Sequence, residues 1–333
     1  MFNAMSLKFS TSNLSSPPVT YRNHFFMVIL VMALFSFNEQ GSAQPQSLPF
    51  SNSHFATVEG MKLHYRIWEP VQPNPALPWV FMVHGMGAST WSWEENAPAL
   101  TSKGFTVVAA DVPPFGFSDK NPDFNQSPQS RGRLFLDLIS LVNPGAKWHL
   151  VGHSMGGGIV QAMAILDPER FERVVFVAPA LFITPTAMAP RGAGLLRFRP
   201  FEWIAAGVGK ITLVRPAKIR ELLVSAYGTE PDPADVAEYH RALSQPGFAR
   251  AFIRASAGSP AGDPLDGSRF DRVALAIWGD RDTWVPYARM TPTLKKLPTV
   301  ESVLFEGAGH CPMNTHTLRF NNTITDFLLT SQY

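Results

Sequence analysis

One serine of this chain lies in a pattern that could make its hydroxyl a nucleophile. Residues Gly152-His153-Ser154-Met155-Gly156 follow the pattern G-x-S-x-G, between a short apolar stretch and a helix-like stretch. A serine on so tight a turn has a strained backbone, and glycine is needed two residues to either side because a Cβ there would clash. The helix that follows directs its unpaired N–H groups towards the position of an anionic intermediate. Ser154 is therefore the candidate nucleophile.

A serine hydroxyl needs a base to remove its proton, and the base needs an acid to orient it. His310 ends the segment EGAGH, which follows the last predicted strand, and the glycines there would let its imidazole approach a serine. The segment GDRDTWVP follows the strand before it and offers two acids, Asp280 and Asp282. The sequence thus predicts a Ser-His-Asp arrangement, in which the acid that does not orient His310 caps the loop or the next helix.

Bringing these residues together requires a regular framework, and the chain alternates strands with helices. It starts with a predicted hairpin of His54–Val58 and Met61–Trp68. Further strands are predicted at Trp79–Val83, Phe105–Ala110, Trp148–Val151, Val174–Ala178, Val273–Trp278 and Val300–Phe305. Helices are predicted at Trp91–Thr101, Ser130–Val142, Ser154–Leu166 and Met313–Leu329. This alternation predicts an α/β protein with a mostly parallel sheet that is covered by helices on both faces.

The motifs and their order resemble the α/β-hydrolase fold, in particular its capped serine hydrolases, which include esterases, lipases and C–C hydrolases. The resemblance covers roughly residues 55–329 and implies an eight-stranded, mostly parallel sheet flanked by helices. It implies that Asp282 is the acid, because the acid of this family usually takes the second position of a G-D-x-D loop ahead of a proline. It also implies an oxyanion hole formed by the backbone N–H groups of Met86 and Met155.

Four other residues near these motifs have structural interpretations. His84 is expected to be a buried hydrogen-bonding residue that holds the loop before Met86, and Asp111 resembles a structural aspartate at a strand end. Cys311 is expected to be a small buried hydrophobic residue, since no second base is placed beside its thiol. Pro114 stands where the family pattern D-x-P-G-x-G-x-S has a glycine, so we expect this loop to differ in shape.

Composition excludes several classes of protein. A formal net charge of +2 over 333 residues is too small to indicate nucleic-acid binding. A single cysteine excludes an internal disulfide framework, and no Cys/His cluster has the spacing of zinc ligands. We therefore expect no metal and no cofactor.

The alternation of strands and helices also divides the chain. We predict a signal peptide at 1–43, a linker at 44–53, a core in two parts at 54–181 and 270–333, and an inserted helical cap at 182–269. The apolar run at 25–37 is too short to span a membrane, which takes about 20 residues, but it suits a secretory signal closed by small residues before the cut. The protein is therefore expected to be periplasmic or secreted, with an uncleaved N-terminal membrane anchor as the alternative.

The predicted cap carries an excess of positive charge. Between residues 191 and 220 there are seven lysines and arginines against one acid, Glu202, with apolar residues interleaved. The first interpretation is a solvated basic face above an apolar pocket lining. The alternative is a surface that rests on anionic membrane and feeds acyl esters to Ser154.

The leading prediction for function is hydrolysis of a small-molecule carboxylic ester through an acyl-enzyme. C–C bond hydrolysis of a diketone is the first alternative, because the run Ser154-Met155-Gly156-Gly157 also resembles those enzymes. Acyl transfer to an acceptor other than water is the second, and it needs only a drier pocket. A non-catalytic binding module is less expected, because such proteins usually lose a member of the triad, and this chain retains all three.

Overall fold

The computed structural model describes residues 48–183, 207, 214–256, 265–297 and 299–330. The predicted signal peptide lies outside these residues, as do most of the predicted linker and the basic positions of the predicted cap before residue 214. Within the described ranges, no helix combines the length and apolar character needed to cross a membrane.

The centre of the fold is one eight-stranded sheet with the strand order β1-β2-β4-β3-β5-β6-β7-β8. β1 and β2 form an antiparallel hairpin, β2 is antiparallel to β4, and all other neighbours are parallel. The predicted mostly parallel sheet is thus confirmed. The strands are β1 (Ser53–Val58), β2 (Met61–Trp68), β3 (Trp79–Val83), β4 (Val107–Ala110), β5 (Trp148–His153), β6 (Phe171–Val177), β7 (Val273–Gly279) and β8 (Val300–Phe305).

Helices cover both faces of the sheet. They are α1 (Ala97–Thr101), α2 (Pro128–Val142), α3 (Met155–Leu166), α4 (Pro216–Tyr227), α5 (Pro233–Leu243), α6 (Phe248–Ser256), α7 (Tyr287–Leu294), α8 (Pro312–Thr315) and α9 (Thr317–Leu329). α2 and α3 pack on one face against residues such as Phe81. α1 and α9 pack on the other face against residues such as Val80. Burial of each large apolar side chain in these layers stabilises the fold by roughly 1.5–3 kcal/mol.

Two predicted helices are interrupted. The predicted helix Trp91–Thr101 is a 3₁₀ turn at Thr90–Trp93 followed by α1, which begins with Pro98 in its first turn. Proline is favoured in the first turn of a helix but destabilises its interior, because it lacks an N–H group. The predicted final helix Met313–Leu329 is divided into α8 and α9 at His316, whose φ of −127° is not helical. α7, which was not predicted, follows the loop that contains Asp282.

The described part of the predicted cap lies between β6 and β7 and is helical. Its helices α4 and α5 pack on the core face that contains α1 and α9. α5 also contacts the beginning of the described chain, because the Phe50 ring lies 4.0 Å from the Arg66 guanidinium and 4.6 Å from that of Arg241 on α5. Phe50 therefore joins the first sheet edge to this inserted segment through two cation–π contacts.

Candidate active site

Ser154 occupies the sharp turn between β5 and α3. Its φ of 51° and ψ of −117° are strained for a residue with a side chain. Hydrogen bonds of 2.9 Å from Ser154 N–H to Val177 O and from Ala180 N–H to Ser154 O hold this turn. A Cβ on Gly152 would come closer than 3.0 Å to Gly156 O, and one on Gly156 closer than 3.0 Å to Val83 O. Both glycines are therefore required by close backbone packing, as the motif predicts.

His310 and Asp282 are buried side by side in the loops after β8 and β7. His310 Nδ1 lies 2.8 Å from Asp282 Oδ2. Asp282 Oδ1 accepts hydrogen bonds from the backbone N–H groups of Trp284, at 2.8 Å, and Val285, at 2.9 Å. A carboxylate is an acceptor, so it selects the tautomer with the proton on His310 Nδ1 and leaves Nε2 with the lone pair of a base.

Asp280, the alternative acid, has a different partner. Its Oδ1 accepts a 2.8 Å hydrogen bond from the backbone N–H of Gly307. This bond links the loop after β7 to the loop that carries His310. The structure thus gives Asp280 a loop-bridging contact and gives Asp282 the contact with the imidazole.

The structure connects His310 to the serine turn through His153, the residue before Ser154. His153 Nε2 lies 3.0 Å from the backbone oxygen of His310, and the two rings are 4.8 Å apart between centroids. Ser154 Oγ itself forms no hydrogen bond with another residue of the described ranges. Bonds between nucleophile and base are often long until substrate binds, so the arrangement brings the two loops together without closing the serine–histidine bond.

His153 is a neutral residue in this arrangement. Burial, with a smaller contribution from the nearby His310, holds the pKa of the His153 imidazole well below its usual range. Because the His310 carbonyl can only accept, the proton of His153 is on Nε2. Its Nδ1 is buried without a hydrogen-bond partner among the described residues and faces Gly85, where a Cβ would lie 2.8 Å away.

The loop after β3 lies directly on the serine turn. A Cβ on Gly85 would be 3.2 Å from Ser154 Cβ, and the Met86 side chain that follows is 52% exposed. The backbone N–H groups of Met86 and Met155 donate to no other residue in the described part of the chain. Two backbone donors without a partner in the described ranges thus belong to the loop that lies on Ser154 and to the residue that follows it.

His84 holds this loop through both of its ring nitrogens. Its Nδ1 donates to Gly85 O at 2.7 Å, and its Nε2 accepts from Val112 N–H at 2.9 Å. Burial lowers the pKa of His84, which agrees with the neutral tautomer that these two bonds require. His84 therefore occupies the structural position predicted for it.

Asp111 is the central acceptor below these loops. Its carboxylate accepts from Thr90 N–H at 2.7 Å, from Phe117 N–H at 2.6 Å and from His64 Nδ1 at 2.7 Å. Burial acts to raise the pKa of this carboxyl, but the charge and hydrogen bond of His64, with further contacts, outweigh burial and lower it to about 2. Asp111 thus fixes the loops that follow β3 and β4.

The loop with Pro114 is held by a half-buried cation, Lys120. The peptide bond between Pro113 and Pro114 is cis. Lys120 Nζ donates to Phe115 O at 3.3 Å and to Gly116 O at 2.8 Å, and burial lowers the pKa of this amine to about 8. The loop that departs from the family pattern therefore has its own internal support.

Arg131 on α2 contacts one of the proposed oxyanion residues, a feature the sequence did not indicate. It is buried, and its guanidinium donates to Pro113 O at 3.1 Å and to Met155 Sδ at 3.3 Å. Burial lowers the pKa of Arg131 to about 9. Arg131 supports the Met155 side chain and the proline loop together.

Cys311, next to His310, is buried, and burial raises the pKa of its thiol. A buried, protonated thiol is a poor nucleophile. Within the described ranges, no cluster of three or more His, Cys, Asp or Glu residues could hold a metal ion.

Helix α4 contacts His310 directly. His310 N–H donates to Ala226 O at 2.7 Å, and a Cβ on Gly309 would come closer than 3.0 Å to the same oxygen. The Trp284 indole stacks on the His310 imidazole, with centroids 5.5 Å apart and planes at 22°, and its Nε1 donates to Ser225 Oγ at 3.1 Å. An aromatic residue two positions after Asp282 was the only sequence signal for this contact.

Comparison with known proteins agrees with this fold. The family model described as "alpha/beta hydrolase fold" matches residues 78–317. An uncharacterized hydrolase of Bacillus subtilis, YugF, is 28% identical over 281 residues, which is 82% of this chain and 96% of that protein. A 2-hydroxy-6-oxononadienedioate/2-hydroxy-6-oxononatrienedioate hydrolase of Cupriavidus pinatubonensis is 25% identical, over 83% of this chain and 95% of its own. The crystal structure of a membrane phospholipase A has a TM-score of 0.62 at 22% identity and covers 84% of this chain and 87% of its own.

Proposed function

Because the chain belongs to the α/β-hydrolase fold family, we propose that it is a serine hydrolase that cleaves a small-molecule carboxylic ester through an acyl-enzyme. The observation that carries this proposal is the combination of a strained serine turn with a buried histidine–carboxylate pair next to it. Ser154 is half-buried with a φ of 51°, and the 2.8 Å hydrogen bond between Asp282 and His310 selects the tautomer that leaves His310 Nε2 unprotonated.

In the proposed first half-reaction, Ser154 Oγ attacks the ester carbonyl carbon while its proton passes to His310 Nε2. The tetrahedral intermediate then collapses, the carbon–oxygen bond to the alcohol breaks, and His310 gives the proton to the leaving alkoxide. In the second half-reaction, water attacks the acyl carbon while one of its protons passes to His310 Nε2. The bond between the acyl carbon and Ser154 Oγ then breaks, His310 returns the proton to Oγ, and the carboxylic acid leaves. Asp282 stabilises the imidazolium that forms in both steps.

The backbone N–H groups of Met86 and Met155 are the proposed oxyanion donors. The support is that neither donates to another described residue and that Gly85 packs against Ser154. Donors fixed in advance around developing charge typically contribute about 10²–10³ in rate each. Helix α3, which starts at Met155, adds its positive dipole end to the same region.

The experiment is fluorophosphonate labelling combined with turnover of p-nitrophenyl esters from acetate to palmitate. We expect a single adduct on Ser154, loss of label in Ser154→Ala, and ester turnover reduced at least about a thousandfold in that variant. Gly145→Ala is the matched control, because a Cβ there meets nothing within 4 Å. An adduct elsewhere, or full turnover by Ser154→Ala, would refute the mechanism.

C–C bond hydrolysis of a diketone is the second candidate, and the names of some relatives favour it. The Cupriavidus protein and two others, at 25% and 27% identity, carry the name 2-hydroxy-6-oxononadienedioate/2-hydroxy-6-oxononatrienedioate hydrolase. Such a reaction would use the same three side chains on a different bond. Parallel turnover of a 2-hydroxy-6-oxodienoate and of the ester series distinguishes the two, because the true substrate class should be cleaved with the higher kcat/KM. Acyl transfer would instead appear as a product ester when a second alcohol competes with water.

We also propose export, on the apolar run at 25–37, and contact with a membrane, on the basic residues of the predicted cap. Two of the basic residues that the structure describes there, Lys218 and Arg220, pair with Glu221 and Glu230. These pairs reduce the positive charge available to a lipid surface and favour the solvated alternative. Equal sedimentation with anionic and neutral vesicles would exclude the membrane contact.

A further inference from the structure

We propose that Trp284 is a positioning residue that stabilises the positively charged form of His310 through its indole face. The proposal rests on the function given above, in which His310 gains and loses a proton in each half-reaction. Trp284 would thus stabilise the charged imidazole of His310 in addition to Asp282, and it follows Asp282 in the same loop.

The stacking geometry suits a cation–π interaction. The centroid distance of 5.5 Å falls within the roughly 6 Å over which a cation is attracted to an aromatic face, and tryptophan is the strongest such partner. The 22° angle between the planes is that of a stacked pair and not of an edge-on pair. Because His310 is buried, the interaction acts where water screens charge weakly.

Two hydrogen bonds hold Trp284 in this position. Its backbone N–H donates to Asp282 Oδ1 at 2.8 Å, so the same carboxylate fixes both the imidazole and the residue stacked on it. Its Nε1 donates to Ser225 Oγ at 3.1 Å on α4. Rotation of the indole away from His310 would break the second bond, and the ring is therefore fixed before substrate binds.

The titratable groups around His310 leave few other sources of charge stabilisation. Asp282 is the carboxylate in direct contact, and His153 is kept neutral by burial. The Cys311 thiol is protonated, because burial raises its pKa. Tyr227 and Tyr239 on α4 and α5 have pKa values raised by burial, and Asp235 on α5 hydrogen-bonds Trp91 and Tyr227.

The test measures the pH dependence of kcat/KM for the best p-nitrophenyl ester in the full chain. Trp284→Leu removes the aromatic face, and a tetrafluorinated tryptophan placed at position 284 keeps the ring shape but removes its negative face. Loss of the cation–π contact should move the acidic limb, where His310 gains a proton, about 0.5–1 pH unit lower. It should also lower kcat about 3- to 30-fold with little change in KM, because the charged imidazole is needed in the transition state.

Trp91→Phe is the matched control. Trp91 is also half-buried and also bonds the inserted segment, through a 2.8 Å contact from Nε1 to Asp235, but its ring stacks on Phe50 and not on His310. We expect its acidic limb to stay in place. Ser225→Ala removes the Nε1 acceptor alone and should give a smaller shift in the same direction as Trp284→Leu.

An acidic limb that stays in place in the fluorinated protein, or moves higher, would overturn the proposal, since the ring volume is unchanged there. The fluorinated protein decides the question even if Trp284→Leu does not fold. Failure of the proposed function is distinguishable, because it would appear as absent turnover and absent Ser154 labelling in the unsubstituted protein.

Discussion

Acid should destabilise the protein through His149, a residue without a role in the proposed chemistry. His149 lies on the central strand β5, paired with Val80, and its ring is 6.0 Å from that of Phe105. Neither ring nitrogen has a hydrogen-bond partner among the described residues. Burial, with a smaller contribution from the charge of Arg173, lowers the pKa of His149 from 6.5 to about 3.

The size and sign of the effect follow from proton binding. Between the two pKa values, the unfolded chain binds a proton at His149 and the folded chain does not, so the free energy of unfolding falls as the pH falls below 6.5. Each pH unit is worth about 1.4 kcal/mol. Acidification from about pH 7.5 to about pH 5 should therefore remove about 2 kcal/mol through this side chain alone.

The assay compares the unsubstituted protein with His149→Leu by urea unfolding at both pH values. The variant should be more stable near neutral pH, because two unpaired buried nitrogens are removed, by about 1 kcal/mol. Its advantage should grow by about a further 2 kcal/mol at about pH 5. Other titrating groups cancel in this difference, and the same comparison for His54→Leu, at an exposed position on β1, is the control.

A difference between His149→Leu and the unsubstituted protein that is the same at both pH values would refute the reasoning. It would mean that His149 can accept a proton in the folded state. A destabilised variant near neutral pH would refute the second part, that the unpaired nitrogens cost stability.

Three further predictions concern the site and its support. Asp282→Asn should keep the fold but lower kcat about 10⁴-fold, because an amide N–H opposite His310 selects the wrong tautomer; a loss below about tenfold in ester turnover would contradict this role. Gly156→Ala should lower the free energy of unfolding by about 3 kcal/mol or more through its backbone clash, whereas Gly145→Ala should stay within about 0.5 kcal/mol in the same urea titration. Asp111→Asn should lower the free energy of unfolding by about 2–4 kcal/mol near neutral pH. The difference from the unsubstituted protein should shrink as the pH falls from 3.8 towards about 2, where the carboxyl of the folded protein also gains a proton, and thermal unfolding across that range measures it.

The parts of the fold that were predictable depend on local rules. A glycine two residues either side of Ser154 is a steric requirement that a short motif records. Continuous apolar runs such as Trp79–Val83 indicate strands buried on both faces, and parallel strands place their carboxyl ends at one edge. The loops after β7 and β8 were therefore expected to lie near the serine turn, and Asp282 and His310 meet there at 2.8 Å.

The parts that were not predictable depend on contacts between distant segments. The bond from Trp284 to Ser225 spans 59 residues, and that from His153 to the His310 carbonyl spans 157. No periodicity or motif reports such a pairing, because it arises only when the sheet is assembled. The interruption at His316 is similar, since His316 Nδ1 lies 3.0 Å from Thr315 Oγ1 in a turn that helical spacing does not reveal.

The hydrogen bond from His310 N–H to the Ala226 carbonyl has a consequence for protein engineering. A chimaera that receives the region between β6 and β7 from a relative would have to present a backbone oxygen at the same point, 2.7 Å from that nitrogen. A graft that matched only the apolar contacts would leave the buried N–H of His310 without an acceptor. The proposed general base would then no longer be held in its position. A transplant meant to change substrate preference must therefore keep the carbonyl at the end of α4 in place, whatever pocket the rest of the graft provides.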